Sequence, residues 1–447
     1  MAHIAIIGNG ISGVTAARHI RKRSNDRITL ISAETEHFFS RTALMYVFMG
    51  HMEYKHIKPY EDHFWEKNKI DLKFDYVSSI NYSSKELDFQ SGDKLSYDTL
   101  ILAVGSKPNR FNWPGQDLPQ VQGLYSYQDL ESMERLAPTT KRAVIVGGGL
   151  IGVEMAEMFR TRNIEVTFLV REGKFWGGVL PTEEAALVGR HIEEHHVDLR
   201  YHTELDAILA DENGNVRAVK TKSGDEIECE FVGLTAGVTP NVDFLKNSEL
   251  EINRGILVDE FCKTNIPDVY AIGDCAERRN PISGRKALEQ VWYTGKMMGE
   301  AVARTITGTP TEYKPGHWFN SAKFFDIEYQ TYGWVRSTLD AQESQFYWEH
   351  PDGRKCIKLV FETNGRELIG VNVFGIRLRH VVLDQMLEGE KTVDYLLEHW
   401  KDALFDPEFY TDHINEVLAE FNSQFNTALK PQKKSWTRIF SAQKVWN

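Results

Sequence analysis

An apolar run at residues 4–7 breaks into Gly8-Asn9-Gly10-Ile11-Ser12-Gly13 and continues as a pattern with helical period. This strand, turn and helix spacing leaves few folds open to the chain. The first glycine permits a tight turn, the second lets the backbone approach a ligand, and the third lets the helix press on the strand. The helix then aims unpaired amide groups at that ligand, which suits a pyrophosphate. Residues 28–31 read as the next strand. Glu34 falls just past it, where a carboxylate accepts hydrogen bonds from both ribose hydroxyls. The pattern recurs with residues 143–146 as strand, Gly147-Gly148-Gly149-Leu150-Ile151-Gly152 as turn and residues 153–162 as helix. One such turn is a weak sign. Two in one chain point to two dinucleotides with electrons moving between them, because the redox chemistry belongs to such cofactors and not to side chains.

The 447 residues exceed one ordinary domain and allow two or three. With 42% apolar and 26% charged residues and no apolar run near the length of a bilayer span, no transmembrane helix is expected. The first strand begins at His3, which leaves no room for a signal peptide and points to the cytoplasm. Cys229, Cys262, Cys275 and Cys356 show no paired spacing, which argues against a disulfide framework, a zinc ribbon or an iron–sulfur site. A net charge of −12 disfavours nucleic acid as a partner. No metal site is expected: His51, His56 and His63 read as a solvated helix and loop. The HxxEH run at residues 191–195 reads as the charged outer face of a helix in the second nucleotide domain.

The stretch His37-Phe38-Phe39-Ser40-Arg41-Thr42-Ala43-Leu44-Met45-Tyr46 resembles the segment lying over the flavin in FAD-dependent pyridine nucleotide-disulfide oxidoreductases. It is most similar to the ferredoxin and rubredoxin reductase branch, which includes apoptosis-inducing factor. Arg41 and Leu44 match that branch, whereas its usual lysine is Tyr46 here. The redox cysteine of the disulfide reductases, peroxidases and coenzyme A disulfide reductases is missing from this stretch. The resemblance implies FAD at the first turn (Gly8, Gly10, Ser12, Gly13, Glu34, Arg41) and NAD(P)H at the second (Gly147, Gly149, Leu150, Ile151, Gly152). It further implies Glu154 near the nicotinamide and flavin edge. Residues 97–105, ending on Gly105, and residues 231–241, with Gly237, are similar to the strands that carry the chain out of and back into the FAD domain. Residues 264–274 end on Gly273 and Asp274, the most specific motif, where the aspartate takes a ribitol hydroxyl. Residues 287–306, with Glu289 and Gln290, resemble the helix whose amino end faces the flavin pyrimidine.

The fold class expected is α/β, with two Rossmann-like dinucleotide-binding domains, the NAD domain inserted in a split FAD domain, and an α+β C-terminal domain. The boundaries fall at 1–112 and 243–312 for FAD, 113–242 for NAD(P) and 313–447 for the last domain, with family likeness fading after about residue 380. Residues 70–97 and 203–232 read as antiparallel hairpin excursions. After the strand at residues 165–169, Arg171 suits a 2′-phosphate and Glu172 a 2′-hydroxyl, which tilts donor choice to NADPH. The expected activity is electron transfer from NAD(P)H through FAD to an external acceptor, a ferredoxin- or rubredoxin-type carrier or a small molecule. Membrane-associated NADH:quinone reduction and a flavin-holding, redox-sensing interaction protein stand as alternatives. A homodimer is compatible with the sequence. The basic and aromatic tail at residues 430–447 suits either peripheral membrane or partner contact, or packing on its own domain.

Overall fold

The strand His3–Ile7 is buried along four of its five residues, and a neighbouring strand pairs with it on each side. It is central in a parallel sheet ordered Val269–Ala271, Thr99–Leu102, His3–Ile7, Arg27–Ser32, Ile70–Phe74. Such strands read as continuous apolar runs because helices cover both faces. The computed structural model describes residues 1–282, 284–406, 408 and 411–432. Two compact units result: Met1–Gly173 with His195–Pro315, and Lys174–Glu194 with the residues from Gly316 on.

In the first unit the chain leaves this sheet after Thr99–Leu102 and returns at Val269–Ala271. Between them it builds a second parallel sheet, ordered Val197–Arg200, Glu165–Leu169, Arg142–Val146, Phe231–Leu234, Val121–Gln122. The outgoing link Ser106–Pro108 and the returning link Val238–Pro240 pair antiparallel, so both crossings run through one ribbon. Three short strands, Leu205–Ala210, Val216–Thr221 and Glu226–Glu228, form the antiparallel excursion expected near residues 203–232. Gly214 and Gly224 turn between them at φ 80° and 96°. The excursion expected at 70–97 begins later, at Val77–Asn81. Ile70–Phe74 instead edges the first parallel sheet, and a half-covered edge strand alternates much as a hairpin strand does. Helix Trp292–Ile306 packs on helix Ile11–Arg21 at very short range. A Cβ on Gly299 would lie 2.6 Å from the Ser12 carbonyl oxygen.

The second unit is a five-stranded antiparallel sheet ordered Phe319–Phe324, Ile327–Gly333, Leu368–Phe374, Cys356–Glu362, Glu343–Glu349. One face carries Ile357, Leu359, Val371 and Val373 into a core shared with Leu383, Leu396, Trp400 and Phe421 of the following helices. Lys358 and Asn372 are cross-strand partners on the opposite face, and helix Thr182–Glu194 covers them. His191 is accordingly 2% exposed, with Nε2 bonded to Asp326, so the first residue of the HxxEH run is buried, while Glu194 stays exposed. Glu184 is fully buried beside it on the same stripe and accepts a 3.2 Å hydrogen bond from Asn372 Nδ2. Among the described residues no helix is long and apolar enough to cross a membrane. Residues 433–447 of the basic tail lie outside them.

Burial pushes the Glu184 carboxyl up to about 8 from an ordinary value of 4.5, against the smaller opposing pull of Asn372 and Lys358. The folded chain therefore holds a proton that the unfolded chain releases, and stability falls as pH rises from about 4.5 to about 8. This costs on the order of 3 kcal/mol at pH 7. Glu184→Gln should leave the melting temperature near its wild-type value at pH 5 and raise it at pH 8. Parallel thermal melts at the two pH values check this.

Candidate functional site

At the carboxyl end of His3–Ile7 the three fingerprint glycines have separable duties. Gly8 sits at φ 112°, and a Cβ there would lie 2.0 Å from the Ala103 carbonyl oxygen. A Cβ on Gly13 would lie 1.9 Å from the Gly8 carbonyl oxygen, so these two close the turn. Gly10 differs: a Cβ would meet nothing within 4 Å, because its backbone faces open space. Gly10 caps helix Ile11–Arg21 with no side-chain hydrogen bond, and the first turn holds no acid. Helix Trp292–Ile306 begins in the same bare way after Val291. Helix Tyr127–Leu136, by contrast, is closed by a Ser126 and Asp129 capping box. Both bare amino ends open into one cavity of about 700 Å³.

The cavity wall is polar where the sequence expects it. Arg41 donates to both oxygens of Glu34, at 2.9 and 2.6 Å, and the Tyr127 amide donates to Glu34 Oε1 at 2.9 Å. The Arg41 guanidinium lies 4.4 Å from the centre of the Tyr125 ring. Gln290 Nε2 donates to Ser106 Oγ at 2.6 Å, and Ser106 Oγ donates to Asp274 Oδ2 at 3.2 Å. Burial raises the Asp274 carboxyl, and Ser106 and Arg41 oppose that rise. Gly105 and Gly273 hold φ 68° and 74°, and a Cβ on either would press on Tyr125 Oη or Ser12 Oγ.

Glu289 does not line the cavity; its 4% exposed side chain pairs with Arg285 at 2.6 Å. A buried carboxylate needs such a partner. Residues 287–291 are a lead-in and the helix starts at Trp292, later than the sequence suggests. Leu44 is buried, and the Tyr46 ring stacks on His51 at 6.3 Å. Ser106 and Tyr125 also line the cavity, and no spacing or motif around them signals their part in the wall.

The second turn repeats the geometry. Gly147 holds φ 118° against Thr235, and a Cβ on Gly152 would lie 2.5 Å from the Gly147 carbonyl oxygen. Gly149 again faces open space and caps helix Leu150–Thr161 without a side-chain bond or a first-turn acid. Leu150 and Ile151 open that helix, and Glu154 lies beyond its first turn, half-buried. Gly148 is needed because a Cβ would meet Val170 at 2.7 Å. Gly237 turns at φ 83° beside Asn109. Arg171, 70% exposed, is tied to Glu172 at 2.7 Å.

These two cradles fit two dinucleotides: open backbone at Gly10 and Gly149, bare helix amino ends, and a polar wall at the first. All four cysteines are buried and free, and none lines the cavity. Burial pushes the Cys229, Cys262 and Cys275 thiols up to about 12 and raises that of Cys356 too.

Residues 2–298 match the pyridine nucleotide-disulphide oxidoreductase family. The chain is 29% identical over 332 residues to the 5,5'-dehydrodivanillate O-demethylase ferredoxin reductase subunit of Sphingobium sp., covering 73% of this chain and 80% of that protein. It is 28% identical to a rubredoxin-NAD(+) reductase of Pseudomonas putida, covering 69% and 80%. A solved ferredoxin reductase from Rhodopseudomonas palustris superposes with a TM-score of 0.77 at 22% identity, over 91% of this chain and 96% of that one.

The open and closed glycines make distinct predictions. Gly10→Val should give a chain of near wild-type helix content that purifies without FAD, whereas Gly13→Val should lower stability itself. Gly149→Val should keep the flavin and lose the nicotinamide. Absorbance spectra, circular dichroism and nicotinamide titration separate these outcomes. Native protein should also show no thiol reactive with Ellman's reagent until it is unfolded.

Proposed function

The chain belongs to the pyridine nucleotide-disulphide oxidoreductase family and, as an oxidoreductase using FAD and a nicotinamide, passes electrons to an acceptor; we propose that this acceptor is a small one-electron carrier protein of the ferredoxin or rubredoxin kind. One observation carries the reading: the chain holds two dinucleotide cradles but no accessible thiol. Dithiol exchange and cysteine-based peroxide reduction thus lack their nucleophile. FAD, when bound, supplies the step between a two-electron donor and one-electron carriers.

The residues of this chain bind, orient and shield. The amides following Gly10 receive the pyrophosphate, and Glu34 with Arg41 fixes the adenosine end. Asp274, held by Ser106, which Gln290 holds in turn, receives a ribitol hydroxyl. The bare amino end of helix Trp292–Ile306 favours negative charge on the ring side of the cavity. Glu154 steers the nicotinamide toward the flavin edge. The NAD(P) domain is inserted between residues 113 and 242, and the chain works in the cytoplasm, where its four thiols stay reduced. The reading requires neither a homodimer nor a membrane anchor.

Arg171 selects the donor. Its guanidinium favours the 2′-phosphate of NADPH, while Glu172 beside it favours the hydroxyl of NADH, so the preference is small. Anaerobic stopped-flow reduction by each nucleotide, followed by mixing with a ferredoxin, a rubredoxin and a quinone, tests the whole reading. Fast bleaching and fast transfer to a carrier protein are expected. Slow bleaching with both nucleotides would instead favour a redox-sensing interaction protein. Arg171→Ala should lower kcat/KM for NADPH about tenfold relative to NADH, the loss of one charge-assisted hydrogen bond.

A further inference from the structure

The second unit brings together three side chains for which neither dinucleotide has a use. Strand Glu343–Glu349 is the edge strand of the antiparallel sheet, and His350 follows it directly. Helix Ile414–Phe425 packs over that strand, with Phe421 edge-on to Phe346 at 5.1 Å. His413 immediately precedes this helix, and its ring meets that of His350 with centroids 4.7 Å apart. Glu416 places Oε2 3.4 Å from His413 Nδ1. One nitrogen of each ring and one oxygen of Glu416 all lie within 4.8 Å of one another.

Two further features point to a ligand. His413 is 9% exposed, and its Nδ1 is buried with no hydrogen-bond partner. An unsatisfied buried nitrogen is costly, and a cation would satisfy it. His350 Nδ1 lies 3.0 Å from Asp352 Oδ1 and 3.3 Å from the Asp352 amide nitrogen, so both polar contacts of Asp352 with His350 fall on this ring nitrogen. In metal sites the carboxylate contact keeps the proton on one ring nitrogen and presents the other as a ligand. Trp348, 2% exposed, walls the group, with its ring centroid 5.9 Å from His350 and 5.6 Å from His413.

We propose that His350, His413 and Glu416 form a site for one first-row divalent cation, zinc by ligand preference, with Asp352 orienting His350 and solvent completing the coordination. Two imidazoles and one carboxylate suit zinc and exclude magnesium, which demands oxygen ligands. Zinc bonds of about 2.1 Å set neighbouring ligand atoms roughly 3.4 Å apart, so the group closes by about an ångström on binding. Glu416, 58% exposed, can supply that movement by changing rotamer. The bound ion would tie the end of an edge strand to the helix that covers it. That stabilises the closure of the sheet and protects its exposed edge.

The test uses the full FAD-loaded chain, freed of metal with EDTA and titrated with zinc sulfate by calorimetry and by thermal melting. One equivalent should bind at micromolar concentration and raise the melting temperature by about 4 °C or more, while magnesium sulfate does neither. His350→Gln and Glu416→Gln should each weaken binding by about tenfold or more while keeping the flavin spectrum and the metal-free melting temperature. Absence of stoichiometric binding at about 100 μM zinc, or equal binding by both variants, would overturn the site.

Discussion

Ser12 is the point on which the first unit closes. A Cβ on Gly273 would come within 2.3 Å of its hydroxyl, and one on Gly295 within 2.4 Å. The fingerprint helix, the turn after Val269–Ala271 and helix Trp292–Ile306 therefore meet in a space that any other residue at either glycine would fill. Gly299 extends the contact along the helix pair. This close approach lets the last strand and last helix of the split domain rejoin its first. The two bare helix amino ends then open into one cavity. Binding and folding here rest on the same small residues, as backbone amides reach a ligand only where no side chain stands between.

That dependence explains what could be read from the sequence. The two strand, turn and helix units are visible because each glycine answers a stereochemical demand at fixed spacing, and Asp274 lies beside Gly273 in the turn that follows the strand Val269–Ala271. Contacts across long sequence separations leave no such mark. Ser106 and Tyr125 join the cavity wall only when residues 105, 125 and 274 are brought together. Glu289 and Gln290 are adjacent in sequence, yet only Gln290 reaches the cavity, since successive side chains of a non-helical lead-in diverge. The helix Thr182–Glu194 misleads for a related reason. Glu184, Val188 and His191 share one buried stripe, and the partners that make two polar residues tolerable there, Asn372 and Asp326, come from the far end of the chain.

The first cavity also shows why its cation is an arginine. One guanidinium serves Glu34 through two parallel bonds and Tyr125 through its ring face; burial works against its charge, and Glu34 foremost, with Asp274 adding less, raises its pKa. A lysine ammonium would meet one of these demands at a time, because it lacks the planar fork and the stacking face. Two carboxylates beside an anionic ligand need a fixed, permanently charged neighbour. Arg41 meets that need.

Burial of every cysteine has a consequence for how such a chain diverges. No cysteine lines the cavity, whereas Tyr76, Phe244 and Trp292 do, and all three lie outside both glycine motifs. Side chains of this sort can change without disturbing the close backbone contacts of the glycine motifs. The donor side of the reaction is written in spacing that sterics enforce, and the acceptor side in surface that sterics leave free. A single scaffold can therefore keep one electron source and serve carriers of different shape, which is why the acceptor is the part of the function that no motif in the chain names.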